Sequence, residues 1–180
     1  MKKILLLVIP VAAGIVFFTS CKDQTKTATG TEAKADFVVM PYKATYSSSF
    51  VISDNAKNEQ SVLQSYKDWE DNKLSNAAGY YADTVSFTFP DGETFKMKRD
   101  SMINFFHKHR DSLSSSKIEV DAVTNLHSTD KNADWVSVWY KQTDTYKNGK
   151  IDSAYFQDDN NVVNGKIILF SSKMQKLIKK

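Results

Sequence analysis

The spacing of apolar positions along this chain changes several times, and each change marks an expected element. Ser53-Asp54-Asn55 offers helix-capping side chains, and Val62, Leu63, Tyr66 and Trp69 then recur at helical spacing. That pattern predicts a first helix ending near Asn72, followed by a shorter helical piece over 74–81 whose end Gly79 loosens. Residues 84–89 alternate strictly, placing Val85, Phe87 and Phe89 on one face of a strand. Pro90-Asp91-Gly92-Glu93 is a turn, since Pro sets φ and Gly accepts positive φ, and 94–97 returns as a short strand. A second main helix opens at Asp100 or Ser101, with Met102, Ile103, Phe106 and Leu113 on its buried stripe.

The remainder reads as β. Ile118, Val120, Ala122, Thr124 and Leu126 alternate with polar neighbours, and a long strand runs from Trp135 to Tyr146. Asn148-Gly149 is the strongest two-residue hairpin signal in the chain; 151–159 returns from it, Asn164-Gly165 turns again, and 166–172 is the last strand. Helices followed by a meander of long antiparallel strands predict an α+β fold. Before the first helix, Tyr42, Tyr46, Phe50 and Ile52 fall at even spacing, as in an extended segment laid on the domain, either as a lid or as an edge strand. Pro41 argues against a central strand there.

The N-terminus has a different character. Lys2 and Lys3 precede a nearly unbroken apolar run over 4–18, about five residues short of the ~20 that span a bilayer, which predicts a signal peptide over 1–20. Phe18-Thr19-Ser20-Cys21 resembles the bacterial lipobox, which implies cleavage before Cys21 and lipid on its sulfur. Acyl chains buried at about 0.8 kcal/mol per CH₂ would then anchor the protein to a membrane without spanning it. Lys22 after the cysteine fits outer-membrane delivery, and Cys21-Lys22-Asp23 faintly resembles surface-export signals of Bacteroidetes lipoproteins. Residues 22–36 hold no large apolar side chain and read as a tether. The expected organisation is a leader over 1–20, a tether and extended segment over 21–54, and a folded domain over 55–180.

Composition narrows the function classes. The 180 residues are 41% hydrophobic and 25% charged, ordinary for one globular domain. Of 24 Lys and Arg, two lie in the leader, leaving 22 against 21 Asp and Glu, so no nucleic-acid partner is expected. One cysteine excludes a disulfide framework and any multi-cysteine metal site. His107 and His109 stand about 200° apart on a helix and cannot share a metal, and His127 reads as a solvated strand-end residue. Neither metal nor cofactor is expected.

With Tyr81-Ala82-Asp83-Thr84-Val85 after the first helices and Asn164-Gly165-Lys166-Ile167 before the last strand, the order of elements over 55–174 resembles the nuclear transport factor 2-like superfamily. Within it the chain is similar to SnoaL-like lipoproteins of Bacteroidetes. The resemblance implies a cone: a strongly curved antiparallel sheet wrapped around two to three helices, with a pocket at the open end. Aligning Tyr81-Ala82-Asp83 and Pro90 with the ketosteroid isomerases of this scaffold puts Phe89 where they carry their catalytic base. Phenylalanine accepts no proton, so that mechanism is not expected. Their oxyanion-hole Tyr falls at or beside Tyr66. Their oxyanion-hole Asp falls near Ala154, or with a gap at Asp152 or Asp158.

Adjacent Asp158 and Asp159 point to opposite faces of a strand, so at most one faces the cone. Tyr155, Gln157 and Asp159 share a face, read as the pocket wall, with 158–161 as a hydrophilic loop the competing reading. The expected ligand pocket is Tyr66, Trp69, Phe87, Phe89, Trp139, Tyr155, Gln157 and Asp159, its aromatics competing with a core role. Trp135 and Trp139 share a strand face on the broad sheet, where relatives dimerise, which implies a homodimer. The expected function is non-catalytic binding of a small apolar or aromatic ligand, or of a protein partner. The alternative is a lyase- or isomerase-type enzyme with Asp159 as base, Tyr66 as donor and Asp121 as a further acid.

Overall fold

The computed structural model describes residues 40–177; the expected leader, lipidation at Cys21 and tether fall outside these described residues. The chain runs β1 (Phe50–Ile52), α1 (Ala56–Glu70), a 3-10 helix (Leu74–Gly79), β2 (Tyr81–Thr88), β3 (Thr94–Lys98), α2 (Arg99–Arg110), β4 (Leu113–Ser128), β5 (Ala133–Tyr146), β6 (Ile151–Val163) and β7 (Lys166–Lys176). All seven strands form one curved, unclosed sheet in the order β1-β4-β5-β6-β7-β2-β3. Every pairing is antiparallel except β2 with β7, which is parallel. The α+β cone expected from the resemblance is the architecture observed.

The turns follow their chemistry. Asn164 and Gly165 both adopt positive φ, the requirement of a two-residue type I′ hairpin between β6 and β7. At the β2–β3 turn, Gly92 takes φ 93° and the Phe89 N–H donates to the Glu93 carbonyl. The segment before α1 resolves as an edge strand, with Phe50, Val51 and Ile52 paired to Ser128, His127 and Leu126.

Three local expectations are corrected. Asn55 occupies the N-cap of α1 but makes no side-chain capping bond; its carbonyl instead accepts from the Asn125 Nδ2 of β4 at 2.8 Å. Leu113 does not belong to the α2 stripe, because α2 ends at Arg110 and Leu113 opens β4 opposite Tyr146. The alternation of β4 does not persist either. A bulge between Val120 and Ala122 shifts the register, so Val123 and Asn125 face the helices while Val120 is exposed.

Two apolar clusters fill the concave side. One joins Val62 of α1 to Val136, Val138 and Tyr140 of β5, Val162 of β6 and Ile167 of β7. The other gathers Val85, Phe87 and Met102, with Phe95, Phe106 and Phe170 around them. Phe87 is fully buried there, in ring contact with five other phenylalanines.

Candidate functional site

Between the helices and the sheet the core does not close, leaving a cavity of about 630 Å³. α1 contributes Tyr66 and Trp69, α2 contributes Ile103, Phe105 and Phe106, the turn after β2 contributes Phe89, and the sheet contributes Tyr140, Phe156 and Phe170. The concave strand faces bring polar groups as well: Gln142 and Asp144 on β5, Asp158 and Asn160 on β6, Ser172 on β7. A mostly apolar concavity with a few converging polar groups has the form of a small-molecule site.

Asp158 is the focus of those polar groups. Its Oδ2 accepts from the Tyr66 hydroxyl and from the Tyr140 hydroxyl, each at 2.9 Å. Asn160 donates to the Val136 carbonyl at 3.1 Å and reaches the Tyr66 oxygen at 3.5 Å, tying the helix residue to the sheet. Asp158 is 6% exposed, and its Oδ1 is buried with no hydrogen-bond partner. Burial pushes the carboxyl above the usual carboxylate range, against the opposing pull of Ser172, Tyr140 and Tyr66. The two phenols are driven well above the ordinary tyrosine value, first by burial and then by the Asp158 charge. The cluster is therefore a carboxyl held by two neutral hydroxyl donors, able to gain a proton more readily than a surface aspartate.

A second polar group centres on β5. The Trp69 indole donates to Ser116, whose hydroxyl donates to Asp144 Oδ1 at 2.6 Å; Gln142 Nε2 also donates to Asp144. His109 stacks on Trp69 with ring centroids 5.9 Å apart. No group of three or more metal-ligating side chains gathers anywhere among the described residues.

The structure divides the residues singled out in the sequence. Tyr66, Trp69 and Phe89 line the cavity. Phe87 lies behind it in the sealed aromatic core. Trp139, Tyr155, Gln157 and Asp159 lie on the other face of the sheet, because the inward residues of β6 are Phe156, Asp158 and Asn160. The wall expected from Tyr155, Gln157 and Asp159 is thus turned away from the helices. Residues 158–161 are ladder-paired strand, not a hydrophilic loop. Asp159 is held by Ser137 and Lys173. Burial pushes its carboxyl up, but those two partners outweigh that effect and hold it below the usual range. Asp121 is exposed at the β4 bulge. His127, expected in solvent, binds Asp134 at 2.7 Å, and Asp134 also accepts from the buried Asn58.

Tyr140, Phe156, Asn160 and Phe170 were not among the expected site residues. A signal for Tyr140 existed: Val136, Val138 and Tyr140 alternate, and two valines on one strand face mark the inward side. No comparable signal marked β6, where both faces carry polar residues.

No protein-family model matches the sequence, and no curated protein matches it. Solved structures do. An NTF2-like protein of unknown function from Burkholderia pseudomallei shares 21% identity over 66% of this chain and 91% of its own, with a TM-score of 0.54. An LEH-like epoxide hydrolase of M. tuberculosis shares 7% over 67% and 79%, with a TM-score of 0.57. A protein described as a SnoaL-like polyketide cyclase, from Jannaschia, shares 13% over 67% and 86%, with a TM-score of 0.54. At such identities the likeness is one of architecture: the chain has the nuclear transport factor 2-like fold, in the form that SnoaL-like proteins share.

Proposed function

We propose that this protein binds a small, largely apolar molecule of aromatic-ring dimensions in its cone cavity, with Asp158, Tyr66 and Tyr140 as the polar contact. The observation that carries this reading is a cavity of about 630 Å³, walled by aromatic side chains and left open although the core around it is tightly packed. A volume of that size suits a ligand of two or three fused rings. Equilibrium titration with a panel of naphthalene- and anthracene-sized compounds, followed by fluorescence of the lining Trp69, tests it. Dissociation constants in the micromolar range are expected, and Gln142→Trp, which places an indole in the cavity, is expected to weaken them at least about tenfold. Equal affinity in wild type and Gln142→Trp would place the ligand elsewhere and end this reading.

A second reading, a lyase- or isomerase-type enzyme, is favoured by one feature: the upward-shifted Asp158 carboxyl inside the cavity, hydrogen-bonded to Tyr66. Neighbours of the same fold include proteins described as a polyketide cyclase and an epoxide hydrolase. Against it stands Phe89, a cavity wall where the ketosteroid isomerases carry their base. Turnover of any panel compound that disappears in Asp158→Asn would move the assignment to this second reading.

The reading extends to location. With Met1 to Cys21 read as a lipoprotein leader, the domain is tethered to the cell envelope, in the outer membrane, by lipid on Cys21. Cys21→Ser is expected to move the protein from the membrane to the soluble fraction on cell fractionation; unchanged membrane association would refute the anchor. The outer face of the sheet, carrying the exposed Trp139 and Tyr155, is the surface proposed for self-association as a homodimer.

A further inference from the structure

The deep carboxyl of the cavity lacks an opposite charge. Asp158 forms no salt bridge with any described lysine, arginine or histidine. The groups that face it are neutral hydroxyls: Tyr66 and Tyr140 both donate to Oδ2, and Ser172 of β7 stands beside it. The two basic residues that line the cavity, Lys108 and His109, are exposed on α2. An ionised carboxylate buried without a cation is costly by several kcal/mol, a cost relieved either by taking up a proton or by a cation from the protein, a metal or a ligand.

The walls have the same preference. Ten of the 22 lining residues are Phe, Tyr or Trp. Aromatic faces are electron-rich and attract cations, most strongly where water is excluded. Tyr66 and Tyr140 add to this, because each directs its hydroxyl hydrogen at Asp158 and so extends the negative field of the carboxylate along the ring. Their rings lie 5.0 Å apart, centroid to centroid, and Phe156 stacks on Tyr140 at 5.3 Å. A ligand hydroxyl would gain one hydrogen bond here and leave the charge uncompensated. A ligand carbonyl would need the carboxyl protonated and would meet electron-rich rings with its own negative end. An ammonium group satisfies both the carboxylate and the rings.

We infer that the ligand of this cavity is a flat apolar molecule bearing a protonated amine, held by the Asp158 carboxylate and the faces of Tyr66 and Tyr140. The inference rests on the ligand-binding reading and specifies its chemical class.

The test uses three probes with one aromatic body: 2-naphthylmethylammonium, 2-naphthylmethanol and methyl 2-naphthyl ketone. Each is titrated calorimetrically at neutral pH into the full chain, wild type and Asp158→Asn. The wild type is expected to bind the ammonium at least about tenfold more tightly than the alcohol. Asparagine keeps the size and the acceptor oxygen, so Asp158→Asn is expected to bring that ratio close to one while the alcohol keeps its affinity within about threefold. A thermal melt of the variant confirms that it is folded. The inference is overturned if alcohol or ketone binds the wild type as tightly as the ammonium, or if the ammonium preference survives in Asp158→Asn. Binding of the neutral probes alone would overturn the amine and leave the ligand-binding reading standing; binding of none of the three would overturn both.

Discussion

Replacing Phe87 with alanine is expected to cost the domain about 3–5 kcal/mol of stability. Phe87 is fully buried at the junction of β2, β3, α2 and β7. Its ring stacks on Phe170 at 5.4 Å and on Phe95 at 5.3 Å, and meets Phe89 edge-on at 5.3 Å. Truncation removes the transfer energy of the ring and leaves a void that its neighbours, themselves locked against one another, cannot collapse into. Against a typical total of about 5–15 kcal/mol, that loss is large enough to leave part of the protein unfolded at room temperature. Trp139→Ser, on the outer face, is expected to change stability by no more than about 1 kcal/mol. Urea unfolding midpoints compared for the two variants check the contrast. A loss below about 1 kcal/mol for Phe87→Ala would mean that the aromatic cluster is loosely packed and that the cavity extends through it.

Arg110→Met is expected to destabilise the domain by about 2–4 kcal/mol, through backbone hydrogen bonds and not through an ion pair. Arg110 is 5% exposed at the last turn of α2. Its Nε donates to the Trp69 carbonyl at 2.8 Å and its Nη2 to the Glu70 carbonyl at 2.9 Å. They lie at the C-terminal end of α1, where the Trp69 carbonyl has only the Asn72 N–H at 3.2 Å as a local donor, and the guanidinium also meets the negative end of that helix's dipole. Methionine matches the length and apolar stem but donates nothing, so the Glu70 carbonyl loses the guanidinium and the Trp69 carbonyl keeps only the Asn72 N–H. Arg110→Lys, with one compact donor head, should recover about half of the loss. Denaturant midpoints measure the energy, and amide exchange over 67–71 reports whether the last turn of α1 has loosened. If Arg110→Met stays within about 1 kcal/mol of wild type with unchanged exchange, the cap does not hold the two helices together. Trp69 carries one of the two capped carbonyls and lines the cavity, so this clamp also sets one wall of the site.

A buried, uncompensated acid such as Asp158 and an unfilled volume in a small domain both work against stability. Their coincidence at one place supports reading that place as a site. Residual cost of this kind is common where a protein holds groups ready for a ligand.

What the sequence determined by itself was the order and type of elements. Strict alternation at Val85, Phe87 and Phe89 is a local property of a half-buried strand, and Asn164-Gly165 specifies its hairpin through backbone conformations available at those two residues. The cone architecture followed from that order, and so did the expectation that Tyr66 and Trp69 face inward, since helical spacing puts them beside the apolar Val62. Tertiary structure alone decided which face of β6 meets the helices. Asp158 and Asn160 on one side, Gln157 and Asp159 on the other, are equally polar, so periodicity carries no preference between them. The choice is made by register with β5 and β7, where Val138 and Ser172 stand opposite Asp158, and by hydroxyls 92 and 18 positions away in the chain. The bulge after Val120 and the Arg110 clamp on α1 likewise depend on partners far off in sequence. A carboxyl acquires its chemistry from what surrounds it, and those surroundings exist only once the strands have paired.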